Sequence, residues 1–197
     1  MNYLAHLHLS SPEPDALVGN LMGDFRKHLL IQTLPESLQA GIRNHILVDR
    51  FTDNHYIINK LKEEFSPARR RFAGIILDVS FDYFLSRHWQ RFNFQQRTEF
   101  IHTTYACLES RLHLMPVPMR QVIQVMIEQD WLDSYSDLTG IEFSLNRISR
   151  RIRFKNTLHG AIDEVHQNFE AIEESFLEFY PLLQQYMHKQ VTWGHQD

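Results

Sequence analysis

The spacing of apolar residues constrains this chain most, because apolar side chains recur every three or four positions along nearly its whole length. In segment 67–91, for example, Phe72, Ile75, Val79 and Tyr83 share one face at this spacing. That period is typical of an α-helix, and no segment shows the strict alternation of a half-buried strand. The sequence therefore predicts an all-α protein, built as a helical bundle.

Eight segments carry the helical pattern, which predicts seven or eight helices. They are 15–27, 35–55, 56–65, 67–91, 95–114, 118–133, 138–153 and 158–190. Pro181 is expected to kink or interrupt the last segment, because proline lacks the N–H that a helix interior needs. Only 7 glycines and 7 prolines punctuate the pattern, and it contains no repeat or linker. We therefore predict one domain over residues 1–197.

Composition excludes several classes of protein. The net charge of −4 argues against a general nucleic-acid binder. The single cysteine, Cys107, allows no intramolecular disulfide and no thiolate cluster for zinc, which fits a reducing cytoplasm. The N-terminal segment lacks a signal-peptide pattern, and no stretch reaches the roughly 18–20 apolar residues of a membrane span. We therefore expect a cytoplasmic protein without a membrane partner.

Three of the predicted helices carry polar side chains at helical spacing, against the rule that a core-facing stripe is apolar. The three sets are Asn20 and Asp24; His45, Asp49 and Asp53; and Asp78 and Asp82. A buried carboxylate is costly unless it is paired or bound to a metal. If the three sets converge inside a bundle, they predict a site for a divalent cation.

Each set also has a structural explanation. Asp49 could form a surface ion pair with Arg43 or Arg50, Asp78 could be solvated, and Asp82 could bond to a tyrosine. The apolar sequence around Asp78 and Asp82, GIILDVSFDYF, leaves few solvated faces on that helix. This favours the metal-site interpretation for the three sets together.

Two histidines near the N-terminus are further candidates. His6 and His8 are alternate residues, which on a helix would face different ways. Only one can then point into the site, and we favour His6; the alternative is an ordinary core or surface histidine.

Basic residues form two runs. The first is Arg69, Arg70 and Arg71, and the second is Arg147, Arg150, Arg151, Arg153 and Lys155. A solvated helix face explains either run. The alternative is a docking patch that steers an acidic partner to the protein.

Four sequence blocks resemble the bacterial acyl carrier protein phosphodiesterase family in order and spacing. They are MNYLAHLHLS, GNLMGDF, GIRNHILVDRFTDNH and LDVSFDYFLSRHW, which together span residues 1–90. The resemblance implies an all-helical fold and a divergent member of the HD-type metal-dependent phosphohydrolases. One departure stands out, since the HD pattern has adjacent His and Asp, whereas His45 and Asp49 lie one helical turn apart.

The resemblance also implies a reaction. Members of the family cleave the phosphodiester that links 4′-phosphopantetheine to a serine of holo-acyl carrier protein, usually with manganese. We therefore expect Mn²⁺ as cofactor, holo-acyl carrier protein as partner, and Arg69, Arg70 and Arg71 as the surface that binds it.

On this hypothesis the expected metal ligands are Asp24, His45, Asp78 and Asp82. Expected catalytic roles are proton acceptor for Asp49, proton donor for His45 or His6, phosphate contact for Arg43, and orientation of water or phosphate for Asn20. Two other functions remain open at this point. One is an HD-like phosphohydrolase acting on a nucleotide, and the other is a helical adaptor whose Asp–His network is purely structural.

Overall fold

The computed structural model describes the backbone of residues 1–193 and the side chains of residues 1–190 other than His28. Its α-helices are α1 (Tyr3–His8), α2 (Pro14–Met22), α3 (Glu36–Asn54), α4 (Tyr56–Glu63), α5 (Ala73–Arg87), α6 (Trp89–Phe92), α7 (Arg97–Ser110), α8 (Val117–Glu128), α9 (Trp131–Ser134), α10 (Leu138–Arg151), α11 (Ile162–Gln167) and α12 (Phe169–Trp193). Short 3₁₀ helices cover Gly23–His28, Ile31–Thr33, Arg70–Phe72 and Leu112–Leu114. No residue in the described range forms a strand, which confirms the all-α prediction.

The helices number twelve within residues 1–193, more than predicted, for two reasons. Segments 67–91, 118–133 and 158–190 are each divided into two α-helices. The break between α8 and α9 falls at Asp130, whose backbone is left-handed with φ 47°. The remaining addition is α1, where the sequence pattern was too short to identify a helix.

Pro181 does not interrupt the last helix, so the predicted interruption is absent, while the predicted kink stays a prediction. Helix α12 continues through Pro181, although a proline inside a helix costs about 3 kcal/mol. The neighbouring side chains Phe179, Tyr180 and Leu183 are fully buried. Their burial outweighs the lost backbone hydrogen bond, at about 1.5–3 kcal/mol for each large apolar side chain.

The helices α2 and α3 approach each other unusually closely, and this sets the position of the polar residues they carry. A Cβ atom on Gly19 would lie 2.2 Å from the carbonyl oxygen of Leu38, and one on Gly41 would lie 2.3 Å from that of Ala16. Only glycine fits at either position. The close contact brings the end of α2 beside the middle of α3.

Helix α1 is buried against both α2 and α5. A continuous apolar core joins it to the other helices, down to α12. None of the described helices has both the length and the apolar character needed to cross a membrane.

Candidate functional site

Two buried histidines face each other where α1 meets α3. The rings of His6 and His45 stack with centroids 4.1 Å apart and planes 14° apart. One turn after His45, Asp49 reaches both rings: its Oδ1 lies 3.1 Å from His6 Nε2, and its Oδ2 lies 3.1 Å from His45 Nε2. We call His6, His45 and Asp49 the histidine–aspartate cluster.

The donor atoms of the histidine–aspartate cluster are arranged as metal ligands can be. One ligand atom from each residue lies within 4.8 Å of the others. The His6 Nε2 contact with Asp49 is not an aligned hydrogen bond, and His6 Nδ1 and His45 Nδ1 are also buried without a hydrogen-bond partner. Buried polar atoms normally have partners, and a cation beside Asp49 would supply the partner that His6 Nε2 lacks. The two Nδ1 atoms lie on the other edge of each ring and would not face it.

The charge states of the cluster also suit a cation. Burial lowers the pKa of His6 to about 4, so its imidazole is neutral at pH 7 and keeps a lone pair for a ligand bond. Burial tends to raise the pKa of Asp49, but its contacts with His45 and His6 outweigh this and lower the pKa well below its ordinary value. Asp49 is therefore ionised at neutral pH.

Asp24 extends the cluster from the 3₁₀ helix that follows α2. Its Oδ1 lies 3.6 Å from His45 Nε2, and its side chain is 51% exposed. Loss of hydration at this position raises the pKa of the Asp24 carboxyl. The preceding residue, Gly23, lies against the imidazole: a Cβ there would be 2.3 Å from His45 Cγ.

Asp78 joins the site through the N-terminal ammonium group rather than directly. The Met1 nitrogen donates a hydrogen bond of 2.8 Å to Asp78 Oδ1 and lies 3.8 Å from Asp49 Oδ1. Burial lowers the pKa of this ammonium, but Asp78 and Asp49 outweigh that effect and raise it. The positive charge beside Asp49 favours the ionised form of that carboxylate.

A cavity of about 290 Å³ opens beside the cluster. Its polar lining includes Met1, Tyr3, Asp24, Asp78, Arg147 and Arg151. The cluster residues themselves do not line the cavity. Asp24, which contacts His45, and Met1, which contacts Asp49, lie between the cavity and the cluster.

Comparisons with known proteins give a consistent result. The sequence model of the family described as acyl carrier protein phosphodiesterase matches residues 1–183. A protein of that name from Photorhabdus laumondii is 33% identical over 184 residues, covering 93% of this chain and 93% of the relative. Another from Serratia proteamaculans is 34% identical over 193 residues, covering 97% of this chain and 100% of the relative.

This chain belongs to the acyl carrier protein phosphodiesterase family. The resemblance seen in the four sequence blocks is thereby confirmed. Relatives with that name are phosphoric diester hydrolases, and they match along more than nine-tenths of the chain. No solved structure matches it, so the relationship to HD-type enzymes stays a prediction.

In this family member, Asp82 has a different role from the one predicted. It is fully buried, and its two carboxylate oxygens accept hydrogen bonds of 2.9 Å from the backbone N–H groups of Leu4 and Ala5. Burial raises the pKa of Asp82 to about 7, although the two N–H groups oppose this. Both oxygens are used in fixing α1, so the prediction of Asp82 as a metal ligand does not fit the geometry.

Asn20 and His8 also serve the architecture. The Asn20 side-chain amide donates to the His6 carbonyl oxygen at 3.2 Å and to Asn44 Oδ1 at 2.7 Å. Asn44 in turn donates to the Leu9 carbonyl oxygen at 3.1 Å. His8 points away from the cluster, with Nδ1 2.7 Å from the Tyr180 hydroxyl. The choice of His6 over His8 therefore agrees with the geometry, whereas Asn20 holds α1 rather than facing a substrate.

Arg43 does not reach the site. Its side chain is 54% exposed and forms an ion pair with Glu36. Although Arg43 lies only two positions before His45, a step of two positions turns a side chain to the other side of a helix. The prediction that Arg43 contacts phosphate is corrected accordingly.

The run Arg69, Arg70 and Arg71 lies before α5 and does not line the cavity. Arg69 Nε is 3.9 Å from Glu164, and Arg70 donates to a backbone carbonyl at 3.0 Å. Arg71 is exposed, with its guanidinium 5.5 Å from the Phe154 ring centroid. Its exposure leaves a docking role open to test.

Sequence reasoning did not assign the two arginines of the cavity to the site. Arg147 and Arg151 were assigned only to a basic run, yet both line the wall. The available signal was their four-residue spacing, which puts both on one face of α10.

Proposed function

We propose that this protein hydrolyses the phosphodiester bond of holo-acyl carrier protein, releasing 4′-phosphopantetheine and the apo-protein. The observation that carries the proposal is the histidine–aspartate cluster beside a cavity, in a chain of this family. The cavity supplies space for a phosphodiester, and the cluster supplies ligands for a cation. Holo-acyl carrier protein would then be the partner, bound as a substrate.

We further propose Mn²⁺ as the cofactor, held by His6, His45 and Asp49. Two imidazole nitrogens and a carboxylate oxygen form a mixed ligand set that suits first-row divalent metals. When bound, such an ion lowers the pKa of a coordinated water and screens the phosphate charge. Other divalent cations with the same ligand preference would compete for the site.

The protein's own residues would position the reaction. Asp24, on the cavity wall and 3.6 Å from His45, is placed to accept the proton of the attacking water. As the new bond from water oxygen to phosphorus forms, the bond from phosphorus to the serine oxygen breaks. Asp24 could then return the proton to the serine oxygen, so that the carrier leaves as an alcohol. This assigns the acceptor role to Asp24 instead of Asp49, because Asp49 is engaged with both imidazoles.

Asp82 and Asn20 would act at a distance from the chemistry. By binding the backbone of α1, they hold His6 against His45. Small displacements of a ligand or substrate group are costly for catalysis, so this support is part of the site's function.

The direct test is mass spectrometry of holo-acyl carrier protein incubated with the purified protein and Mn²⁺. We expect the carrier to lose the mass of phosphopantetheine, and to keep it when a chelator is present. Asp49→Asn should reduce the rate by more than about 100-fold, since even residues that only support metal ligands contribute 10–100-fold. Asp53→Asn, on an exposed side chain one turn further along α3, is the matched control and should retain activity.

Metal binding is tested separately by thermal unfolding. After chelation and dialysis, Mn²⁺ should raise the melting temperature of the wild type and of Asp53→Asn, because a ligand that binds only the folded state stabilises it. It should not raise that of Asp49→Asn. If Mn²⁺ raises the melting temperature of the wild type but the carrier keeps its phosphopantetheine, the proposed metal site stands and the proposed substrate is wrong.

A further inference from the structure

We infer that Arg147 and Arg151 of α10 form an anion subsite that holds the non-bridging oxygens of the phosphodiester. The identity of the substrate rests on the function proposed above. The subsite itself rests on the shape, charge and hydrogen-bonding state of the cavity.

The two arginines lie on one face of α10, four residues apart, and both line the cavity of about 290 Å³. Asp24 and Asp78 line the same cavity from other elements. The cavity therefore has two guanidinium groups on one wall and two carboxylates on another. A phosphodiester between these walls would have arginine donors on one side and, on the other, Asp24, whose carboxylate lies 3.6 Å from His45 of the histidine–aspartate cluster.

Arg147 is held in place by an aromatic ring rather than by a carboxylate. Its guanidinium carbon lies 3.2 Å from the ring centroid of Trp131, which is buried. Trp131 thus fixes the guanidinium by cation–π contact without using its N–H donors. Tyr3, also on the cavity wall, interacts with Arg151.

Both arginines lack a counterion in the described part of the chain. Among those residues, neither Arg147 nor Arg151 has a carboxylate oxygen within 4.0 Å of a guanidinium nitrogen. In addition, Arg147 Nη1 is buried and has no hydrogen-bond partner. A buried charged donor without a partner is unfavourable, and an anion in the cavity would supply what is missing.

A phosphodiester suits these donors chemically. Its two non-bridging oxygens share one negative charge, and the planar guanidinium fork matches such a pair in bidentate fashion. Negative charge grows on these oxygens as water attacks phosphorus, so fixed positive groups beside them favour the transition state. Arg147 and Arg151 would hence affect both binding and turnover.

The test uses full-length protein in a chelating buffer, with inorganic phosphate as the probe. Affinity is obtained from the rise in melting temperature with phosphate concentration. Arg147→Gln and Arg151→Gln should each weaken phosphate binding by about tenfold to a hundredfold, as expected for loss of charge-assisted hydrogen bonds. Arg150→Gln is the matched control, since Arg150 is exposed on the same helix and does not line the cavity.

Two outcomes of this measurement would overturn the inference. One is a wild type whose melting temperature does not respond to phosphate. The other is equal phosphate affinity in Arg147→Gln, Arg151→Gln and Arg150→Gln. Because Arg147 contacts Trp131, the Arg151→Gln comparison decides the matter if Arg147→Gln fails to fold.

A second measurement separates this inference from the proposed function. Turnover of holo-acyl carrier protein with Mn²⁺ should fall in Arg151→Gln and not in Arg150→Gln. Normal turnover by Arg151→Gln overturns the subsite and leaves the proposed function intact. A different outcome is that Arg151→Gln loses phosphate affinity, Arg150→Gln keeps it, and the wild type does not hydrolyse holo-acyl carrier protein. That outcome supports the subsite and contradicts the proposed substrate.

Discussion

Two aspartates hold α1 against its neighbours, and they differ in what they hold. Asp49 of α3 contacts the imidazoles of His6 and His45, whereas Asp82 of α5 accepts two backbone N–H groups. Backbone N–H groups cannot ligate a cation, but neutral imidazole nitrogens can. Each aspartate lies four positions after another polar residue. Asp82 on α5 nevertheless has a structural role, whereas Asp49 on α3 is available for chemistry.

The largest effect expected from this comparison is on stability. Asp82→Ala leaves the N–H groups of Leu4 and Ala5 buried and unpaired, at a cost of about 1–3 kcal/mol for each. Urea unfolding at pH 5 measures the change in the free energy of unfolding. Asp53→Ala, exposed at the end of α3, serves as control. If the two variants are equally stable, Asp82 does not anchor α1.

The contribution of Asp82 should also depend on pH. Its pKa is raised from 3.8 to about 7 by burial, so the folded state holds this proton more tightly than the unfolded state. The associated stability is present below about pH 4 and is lost as pH rises through about 7. We expect the stability difference between wild type and Asp82→Ala to shrink over this window in urea titrations. A difference that grows with pH would contradict the assignment.

A smaller effect is expected for Gly23→Ala, which should weaken Mn²⁺ binding without preventing folding. Gly23→Ala places a Cβ 2.3 Å from His45 Cγ and must displace the imidazole. We expect Mn²⁺ affinity to fall by about 10–100-fold, as for other changes that disturb a ligand's orientation. Metal titration followed by thermal unfolding measures it.

Gly74→Ala is the matched control for that variant. A Cβ on Gly74 would meet only the end of the Lys62 side chain, at 3.6 Å. Equal Mn²⁺ affinity in the two alanine variants would show that the position of His45 does not matter to the cation.

The smallest expected effect concerns the surface before α5. Reversing the charge in Arg71→Glu should raise KM for holo-acyl carrier protein by about two- to fivefold, within the range of exposed ion pairs. Hydrolysis of bis(p-nitrophenyl) phosphate, a diester without a protein part, should be unchanged. An equal loss with both substrates would argue against docking at Arg71.

The fold class and the His45–Asp49 pair of the cluster were predictable from the sequence. The apolar period predicted the all-α fold because helical periodicity is a local property. The spacing of His45 and Asp49 predicted their contact, since residues four apart on a helix are neighbours. Asn20 and Asp24 share a helical spacing as well, but α2 ends at Met22 and Asp24 lies in a 3₁₀ helix.

It was harder to predict which polar side chains meet in the folded protein. The sequence placed Asp24, Asp78 and Asp82 in one metal site, but their separate partners are the His45 ring, the Met1 ammonium and the backbone of α1. These partners come from elements distant in the chain, so no local pattern specifies them. Pro181 shows the same limit, because burial of its neighbours overrides its local preference.

The sequence by itself determined the helices, the family and the residue types that carry charge. The tertiary structure alone decided which charges meet: the close approach of α2 and α3 sets Asp24 beside His45, and α1 supplies His6. It also brought Arg147 and Arg151 to the cavity, through α10 packed on α5. The physical reason is that a side chain's role depends on the partners that burial provides, and burial is a property of the whole fold.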